Sequence, residues 1–244
     1  MENLKPKVII LPGWMGSFSS WAAVKNLLEI EGYQALVVDF PGFGIVPAPP
    51  VGWEVKEYVE WFKDWLNENG IDNFFLFGHS FGGRVAIKFA DYYPKRLLGL
   101  ILCSAAGVTP RPRLKIFIFG VFSKISNFVV SFLLLKFFRQ PLRKIVYLLG
   151  GGRDYYLINS EVMKETFRKT IEEDLTPHLE KINVPTMIVW GTKDVITPLA
   201  DAKKLDQGIR GSILKTIPGK GHNLNYQCPE IVARLISEFI QSQS

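Results

Sequence analysis

Residues 73–84 read NFFLFGHSFGGR, and this stretch decides the fold. An apolar run typical of a buried strand meets the pattern Gly-x-Ser-x-Gly, and residues suited to a helix follow at once. A strand that turns directly into a helix leaves no room for side chains at Gly78 and Gly82. This geometry raises the Ser80 hydroxyl above the carboxyl end of the strand and directs the Phe81 N–H towards whatever Ser80 attacks. We therefore predict that Ser80 is a nucleophile, although the five-residue pattern alone would also fit a glycine-rich turn.

Apolar strands and amphipathic helices alternate along the rest of the chain. Strands are predicted at residues 8–11, 34–40, 73–77, 97–103, 185–190 and 212–217, with helices between them. This alternation indicates an α/β fold in which about six parallel strands form a sheet covered by helices on both faces. Ligands of such sheets bind beyond the carboxyl ends of the strands, which is where Ser80 emerges.

The alternation breaks between the fourth and fifth strands, over residues 108–183. We predict that this segment is a helical cap inserted into a core made of residues 1–107 and 184–244. Residues 110–153 hold nine Arg or Lys and no acidic residue, although the net charge of the whole chain is only +6. Such local basicity argues against a general nucleic-acid binder and indicates one surface with its own task.

Within the insertion, residues 116–135 are broadly apolar with a narrow polar stripe at helical spacing. This pattern favours a cap helix that covers the active site, and it also fits a cap that rests on an anionic membrane or lipid aggregate. A transmembrane helix fits less well because of Lys124 and the scattered polar residues. We interpret the three glycines at 150–152 as a loop or hinge.

Composition places the chain among globular proteins of one domain, with 244 residues and 48% hydrophobic content. The N-terminal residues run into the first strand without the apolar segment of a secretory signal, so we expect a cytoplasmic protein, with peripheral membrane contact through the insertion left open. Cys103 and Cys228 lack metal or Cys-x-x-Cys spacing and are interpreted as buried free thiols. No metal site and no cofactor are expected.

The chain has three histidines that could serve Ser80 as a base. His79 adjoins Ser80 at a tight turn, where neighbouring side chains point apart, and His178 is interpreted as a capping or surface residue. His222 lies in a glycine-bracketed loop after the last strand, which places it at the same sheet edge as Ser80. Asp194 follows the fifth strand at that edge, so its carboxylate could bond the far nitrogen of His222 and fix the tautomer. A turn role would also fit Asp194, but the order Ser, Asp, His after successive strands favours a triad.

Four motifs together resemble the α/β-hydrolase superfamily, in particular its serine esterase branch with a helical cap. They are GHSFG at 78–82, DFPGFG at 39–44, GTKD at 191–194 and GH at 221–222. The resemblance extends along nearly the whole chain outside the insertion. It implies the hydrolase fold, with the cap shaping the substrate pocket.

The resemblance also implies specific roles for residues of this chain. The triad would be Ser80 as nucleophile, His222 as base and Asp194 as the acid that orients it. The oxyanion hole would be formed by the backbone N–H groups of Trp14 and Phe81. The substrate pocket is expected to include Phe43, His79 and Arg84.

Two features depart from the pattern of the family. Its members commonly carry His-Gly where this chain has Pro12-Gly13, but a backbone donor does not depend on that side chain. About seven residues precede the first strand, too few for the antiparallel hairpin that usually opens the fold. We therefore expect that hairpin to be missing.

Three classes of function fit these features. The first is hydrolysis of a carboxylic ester, thioester or lactone through an acyl-enzyme, with a small acyl substrate as the partner. The second is a lyase or carbon–carbon hydrolase, because Gly82-Gly83-Arg84 resembles the menaquinone-pathway synthases that bind a polycarboxylate; we interpret Arg84 itself as a helix-surface residue in an ion pair. The third is a ligand receptor that retains the hydrolase fold. Chemistry through an aspartate nucleophile is disfavoured because the turn carries serine.

Overall fold

The computed structural model describes residues 5–109, 158 and 160–243. The sheet in these ranges has six strands in the order β2-β1-β3-β4-β5-β6, and every pair is parallel. The strands are β1 Lys7–Leu11, β2 Gln34–Val37, β3 Phe74–His79, β4 Leu97–Cys103, β5 Thr186–Gly191 and β6 Ile213–Ile217. The predicted sheet of six parallel strands is confirmed, and no antiparallel strand joins it in the part of the chain described.

Helices cover both faces of this sheet. The described α-helices are α1 Phe18–Ile30, α2 Val55–Glu68, α3 Phe81–Tyr92, α4 Glu161–Glu172, α5 Thr176–Leu179, α6 Leu199–Gly208, α7 Leu224–Gln227 and α8 Pro229–Gln241. Helices α1 and α8 pack on one face, whereas α2, α3 and α6 pack on the other. Apolar residues recur in α2 at helical spacing, which gives it one buried face made of Val55, Tyr58, Val59, Phe62 and Leu66.

Two strands end two or more residues away from the predicted position. β3 continues to His79 because its pairing with β4 extends through His79 and Cys103. β2 ends at Val37 rather than at residue 40, since the chain turns towards the start of α1. There Asp39 Oδ1 accepts a hydrogen bond from the backbone N–H of Phe18 at 2.6 Å. Both differences bring polar groups to the carboxyl edge of the sheet.

The last part of the predicted insertion contains α4 and α5. Helix α4 packs against the segment after β2, where Thr166 Oγ1 accepts from the Trp53 N–H at 3.0 Å and Lys169 Nζ donates to Gly52 O at 2.8 Å. The predicted helix at 116–135, the basic residues of 110–153 and the glycines at 150–152 lie outside the described residues. The boundaries of the cap therefore stay a prediction. None of the described helices is long and apolar enough to cross a membrane.

Candidate active site

The turn between β3 and α3 holds Ser80 in an unusual backbone conformation. Its φ of 51° and ψ of −111° are rarely adopted by residues other than glycine and cost about 1–3 kcal/mol. Neighbouring backbone holds the turn in place, because the Ser80 N–H donates to Cys103 O at 3.2 Å and the Ala106 N–H donates to Ser80 O at 3.0 Å. The predicted strand–turn–helix geometry at Ser80 is confirmed.

Close packing around this turn explains the flanking glycines. A Cβ atom at Gly78 would lie 2.6 Å from Gly82 O, well inside contact distance. A Cβ atom at Gly82 would collide with the backbone of Leu11 and Pro12. Glycine at both positions therefore lets α3 begin directly against the end of β1.

Asp194 and His222 meet at the carboxyl ends of β5 and β6. His222 Nδ1 lies 2.8 Å from Asp194 Oδ2, and both side chains are buried. The other carboxylate oxygen accepts from the backbone N–H groups of Ile196 at 2.9 Å and Thr197 at 3.0 Å. Burial by itself would raise the pKa of Asp194, but the hydrogen bond and charge of His222, with the donors of Thr197, outweigh it and hold that pKa below its ordinary value. An ionised Asp194 then accepts the Nδ1–H of His222.

His79, the residue directly before Ser80, contacts His222. His79 Nε2 lies 3.1 Å from the main-chain oxygen of His222, and the centroids of the two imidazole rings are 4.9 Å apart. No hydrogen bond joins the Ser80 hydroxyl to the His222 ring within the described residues; such bonds commonly tighten only when substrate binds. The structure thus brings Asp194 and His222 into direct contact, and His79, the residue before Ser80, contacts the same histidine.

His79, directly before Ser80, is a buried, neutral imidazole. Since a carbonyl oxygen only accepts, the Nε2 atom of His79 carries the proton in its bond to His222. Burial, followed by the charge of His222, lowers the pKa of His79 to about 3. Its ring packs against Trp21, with centroids 5.3 Å apart, and it is not among the described residues that line the cavity beside Ser80.

The loop after β1 lies directly against Ser80. A Cβ atom at Gly13 would lie 3.2 Å from Ser80 Cβ, so the backbone leading to Trp14 passes close to the Ser80 side chain. The Trp14 ring packs edge-on against the Phe81 ring at 5.2 Å. Neither the Trp14 N–H nor the Phe81 N–H donates to another backbone group among the described residues. This arrangement suits an oxyanion hole, and that role stays a prediction.

A cavity of about 210 Å³ opens beside Ser80. The described part of its lining combines aromatic side chains with charged and hydroxyl groups, among them Trp14, Phe81, Phe167, Thr170, Arg84 and Asp201. Phe43 does not belong to this lining. It is buried, with its ring 4.9 Å from that of Trp14, so it supports the wall of the cavity from behind.

Arg84 lies inside the protein and not on an exposed helix face. Only 5% of the residue is exposed, it lines the cavity, and its Nη1 donates to Glu173 O at 2.9 Å. The interpretation of Arg84 as a surface residue is therefore wrong. The chain returning from the insertion covers this side of α3, and a single-sequence pattern does not reveal such a covering.

Thr197 is a neighbour of the Asp194–His222 pair that the sequence pattern did not predict. Its Oγ1 lies 2.9 Å from Asp194 Oδ2 and 3.1 Å from His222 Nδ1. The available signal was its spacing, since an Asp side chain commonly accepts backbone N–H groups two and three residues later. That spacing marks a turn, and it does not by itself indicate contact with a histidine after another strand.

Other reactive side chains are unsuited to compete with Ser80. The two cysteines are buried free thiols, as predicted, and burial raises the pKa of both Cys103 and Cys228. In the ranges that the structure describes, no group of three or more His, Cys, Asp or Glu side chains could hold a metal ion.

Similarity to known proteins extends along most of the chain. The family model for the alpha/beta hydrolase fold matches residues 6–229. The chain is 27% identical to monoacylglycerol lipase ABHD6 of Mus musculus, over 98% of this chain and 76% of that protein. It is 25% identical to the 2-hydroxy-6-oxononadienedioate/2-hydroxy-6-oxononatrienedioate hydrolase of Klebsiella pneumoniae, over 97% of this chain and 87% of that protein.

A solved structure agrees with this assignment of the fold. The esterase EaEST from Exiguobacterium antarcticum superposes with a TM-score of 0.75 at 23% identity, covering 97% of this chain and 92% of that one. At this identity the likeness concerns the fold alone. With the family model matched over most of its length, the chain belongs to the α/β hydrolase fold family.

Proposed function

We propose that this protein is a serine hydrolase that cleaves carboxylic esters, with Ser80 as nucleophile, His222 as base and Asp194 as its orienting acid. The observation that carries the proposal is the strained Ser80 backbone beside a buried Asp194–His222 pair whose Oδ2 and Nδ1 atoms are 2.8 Å apart. Strained backbone of this kind clusters at functional sites. Membership of the hydrolase family and the similarity to a monoacylglycerol lipase support hydrolysis.

The first half of the reaction would form an acyl-enzyme. Asp194 holds the proton on Nδ1 of His222, so Nε2 is free to take the Ser80 proton. Ser80 Oγ attacks the acyl carbon, and the carbonyl electron pair moves onto its oxygen, where the Trp14 and Phe81 N–H groups would stabilise it. When the tetrahedral intermediate collapses, the bond to the alcohol breaks and the alcohol takes the proton from His222.

Water would complete the second half. His222 removes a proton from water as the water oxygen attacks the acyl carbon, and the bond from that carbon to Ser80 Oγ breaks. The proton on His222 then returns to Ser80, and the carboxylic acid leaves. Thioesters and lactones present the same electrophilic carbon and fall within the proposal.

A second candidate is carbon–carbon bond hydrolysis with the same triad. The observation that favours it is the buried Arg84 in the cavity lining, together with the similarity to a dioate hydrolase of Klebsiella pneumoniae. Arg84 would hold an anionic group of such a substrate. However, the described lining also contains Asp201 and several apolar side chains, a mixture that suits an ester better than a polycarboxylate.

The test is turnover of p-nitrophenyl esters and thioesters of graded acyl length, with a diketo acid as the carbon–carbon substrate. We expect Ser80→Ala to lower kcat by about 10³-fold or more, since the nucleophile is lost. Ser212→Ala is the matched control, because Ser212 directly precedes β6 and so lies at the amino ends of the strands, whereas Ser80 follows a carboxyl end. Full ester turnover by Ser80→Ala would refute the proposal. Release of a single equivalent of product by the wild type would favour the receptor instead.

A further inference from the structure

The Thr197 hydroxyl contacts both the acid and the base of the proposed triad. Its Oγ1 lies 2.9 Å from Asp194 Oδ2 and 3.1 Å from His222 Nδ1. A third neighbour, the main-chain oxygen of Ser104, is also 3.1 Å away. Because the hydroxyl has one proton, it donates to one of these neighbours at a time, and the direction of that proton determines what Thr197 does.

The hydroxyl proton is directed to Asp194. The carboxylate is the closer of the two acceptors and is ionised, and hydrogen bonds to charged acceptors are stronger than those to neutral carbonyls. The oxygen of Thr197 then turns a lone pair towards the Nδ1–H of His222. Among the described residues, Asp194 receives four donors, two backbone N–H groups on Oδ1 and the Thr197 and His222 side chains on Oδ2.

The fold holds Thr197 firmly in this position. Only 5% of the residue is exposed, and its main-chain oxygen accepts a hydrogen bond from Nε1 of the fully buried Trp190 at 2.8 Å. Its own N–H is bonded to Asp194 Oδ1. The hydroxyl is therefore oriented before substrate arrives, as a preorganised site requires.

We propose that Thr197 is a positioning residue of the triad, which fixes the Asp194 carboxylate and gives the His222 Nδ1–H a second acceptor. The proposal rests on the proposed function. Its consequence is that the proton stays on Nδ1, which leaves Nε2 bare to accept the proton of Ser80. If the carboxylate is removed, the hydroxyl proton turns to Ser104 O, and the Thr197 oxygen still faces Nδ1–H.

Substitution of Thr197 by residues of similar shape tests this role. We expect Thr197→Val to lower kcat about tenfold without changing KM, and Thr197→Ser to retain most of the wild-type kcat because it keeps the hydroxyl. Thr186→Val is the matched control, since it removes a buried hydroxyl bonded to Val184 O at 2.9 Å at the opposite end of β5. Equal kcat in the two valine variants, or equal losses in Thr197→Ser and Thr197→Val, would overturn the proposal.

The second-acceptor role has its own test in the absence of the carboxylate. In an Asp194→Ala background, we expect Thr197→Val to lower the residual kcat by about a further fivefold, because Nδ1–H then loses both of the acceptors that the described residues offer it. An unchanged residual kcat would show that the oxygen of Thr197 does not support the imidazole. Thermal unfolding of each variant establishes that the rates refer to folded protein.

A readout without turnover separates this proposal from the proposed function. The Nδ1–H proton of His222, identified in proton NMR spectra by its loss in His222→Gln, should exchange with water faster in Thr197→Val than in the wild type. Unchanged exchange contradicts the contact with Thr197. A fully active Ser80→Ala variant would instead refute ester hydrolysis by Ser80 and leave the NMR result valid.

Discussion

Among single residues, His79 is a buried neutral imidazole that contacts both the main chain and the ring of His222. Its Nε2–H donates to the main-chain oxygen of His222, and its ring lies between that histidine and Trp21. Because burial lowers its pKa to about 3, His79 stays neutral at neutral pH. The residue next to Ser80 is therefore suited to holding the loop of His222 in place.

The pH dependence of stability should reveal His79. Its pKa is about 3 in the folded protein against an ordinary value of 6.5, so the unfolded chain takes up a proton over this range and the folded chain does not. The part of the unfolding free energy that depends on a neutral His79 is complete above pH 6.5. It is lost as the pH falls, at up to about 1.4 kcal/mol per pH unit. We expect the unfolding free energy of His79→Gln, from urea titrations between pH 7 and pH 4, to fall less steeply than that of the wild type. Parallel curves would contradict this account.

Among the helices, α3 connects Ser80 to the end of the predicted insertion. Arg84, Lys88 and Asp91 lie on one face of α3 and form a polar seam with the segment around α5. Lys88 is paired with the Glu173 carboxylate, and Asp91 Oδ2 lies 2.6 Å from His178 Nδ1. His178, interpreted from the sequence as a capping or surface residue, is thus a half-buried member of this seam. The seam holds the segment that follows α4 against α3, the helix that follows Ser80.

Breaking the Lys88–Glu173 pair should destabilise the protein. Lys88→Met leaves the Glu173 carboxylate half-buried without its partner, so we expect the unfolding free energy to fall by about 2–3 kcal/mol in urea titrations. The double variant Lys88→Met/Glu173→Leu should recover part of this loss, because both charges are then absent. The exposed Lys56→Met serves as the control. A loss in Lys88→Met no larger than in that control would show that the seam contributes little.

In the molecule as a whole, the polar site and several exposed apolar side chains lie at the same edge of the sheet. Met15, Ile45 and Val195, in the loops after β1, β2 and β5, are half or more exposed. Thr109, which lines the cavity, directly precedes residues 110–153 of the chain. These residues include nine Arg or Lys and no acidic residue. A chain that combines exposed apolar side chains with a strongly basic segment has the composition that anionic lipid surfaces attract.

We predict that the full chain binds vesicles of anionic lipid and that salt releases it. Each basic residue near such a surface contributes about 1 kcal/mol, so replacing four of them by Gln should weaken co-sedimentation strongly. The test variant changes Lys136, Arg139, Arg143 and Lys144. The control changes four exposed lysines of the core, Lys56, Lys95, Lys203 and Lys215. Equal binding to neutral and anionic vesicles, or equal losses of binding in the two variants, would contradict binding of anionic lipid through the basic residues of the insertion.

Local patterning was enough to predict the six strands, the five helices α1, α2, α3, α6 and α8, the turn at Ser80 and the positions of Asp194 and His222 after their strands. It did not give the bounds of α4 or the short helices α5 and α7. The predicted features follow from periodicity and turn chemistry, which act between residues a few positions apart. The sheet edge shared by the three residues follows as well, because parallel strands bring their carboxyl ends together.

Packing between distant segments decided the rest. Arg84 became buried because Glu173, 89 positions later, covers α3. Thr197 contacts His222 because the turn after β5 meets a loop 25 residues further on. His79 faces His222 across 143 positions for the same reason. The exposure and partners of a side chain depend on what is packed against its element, and no local pattern encodes that neighbour.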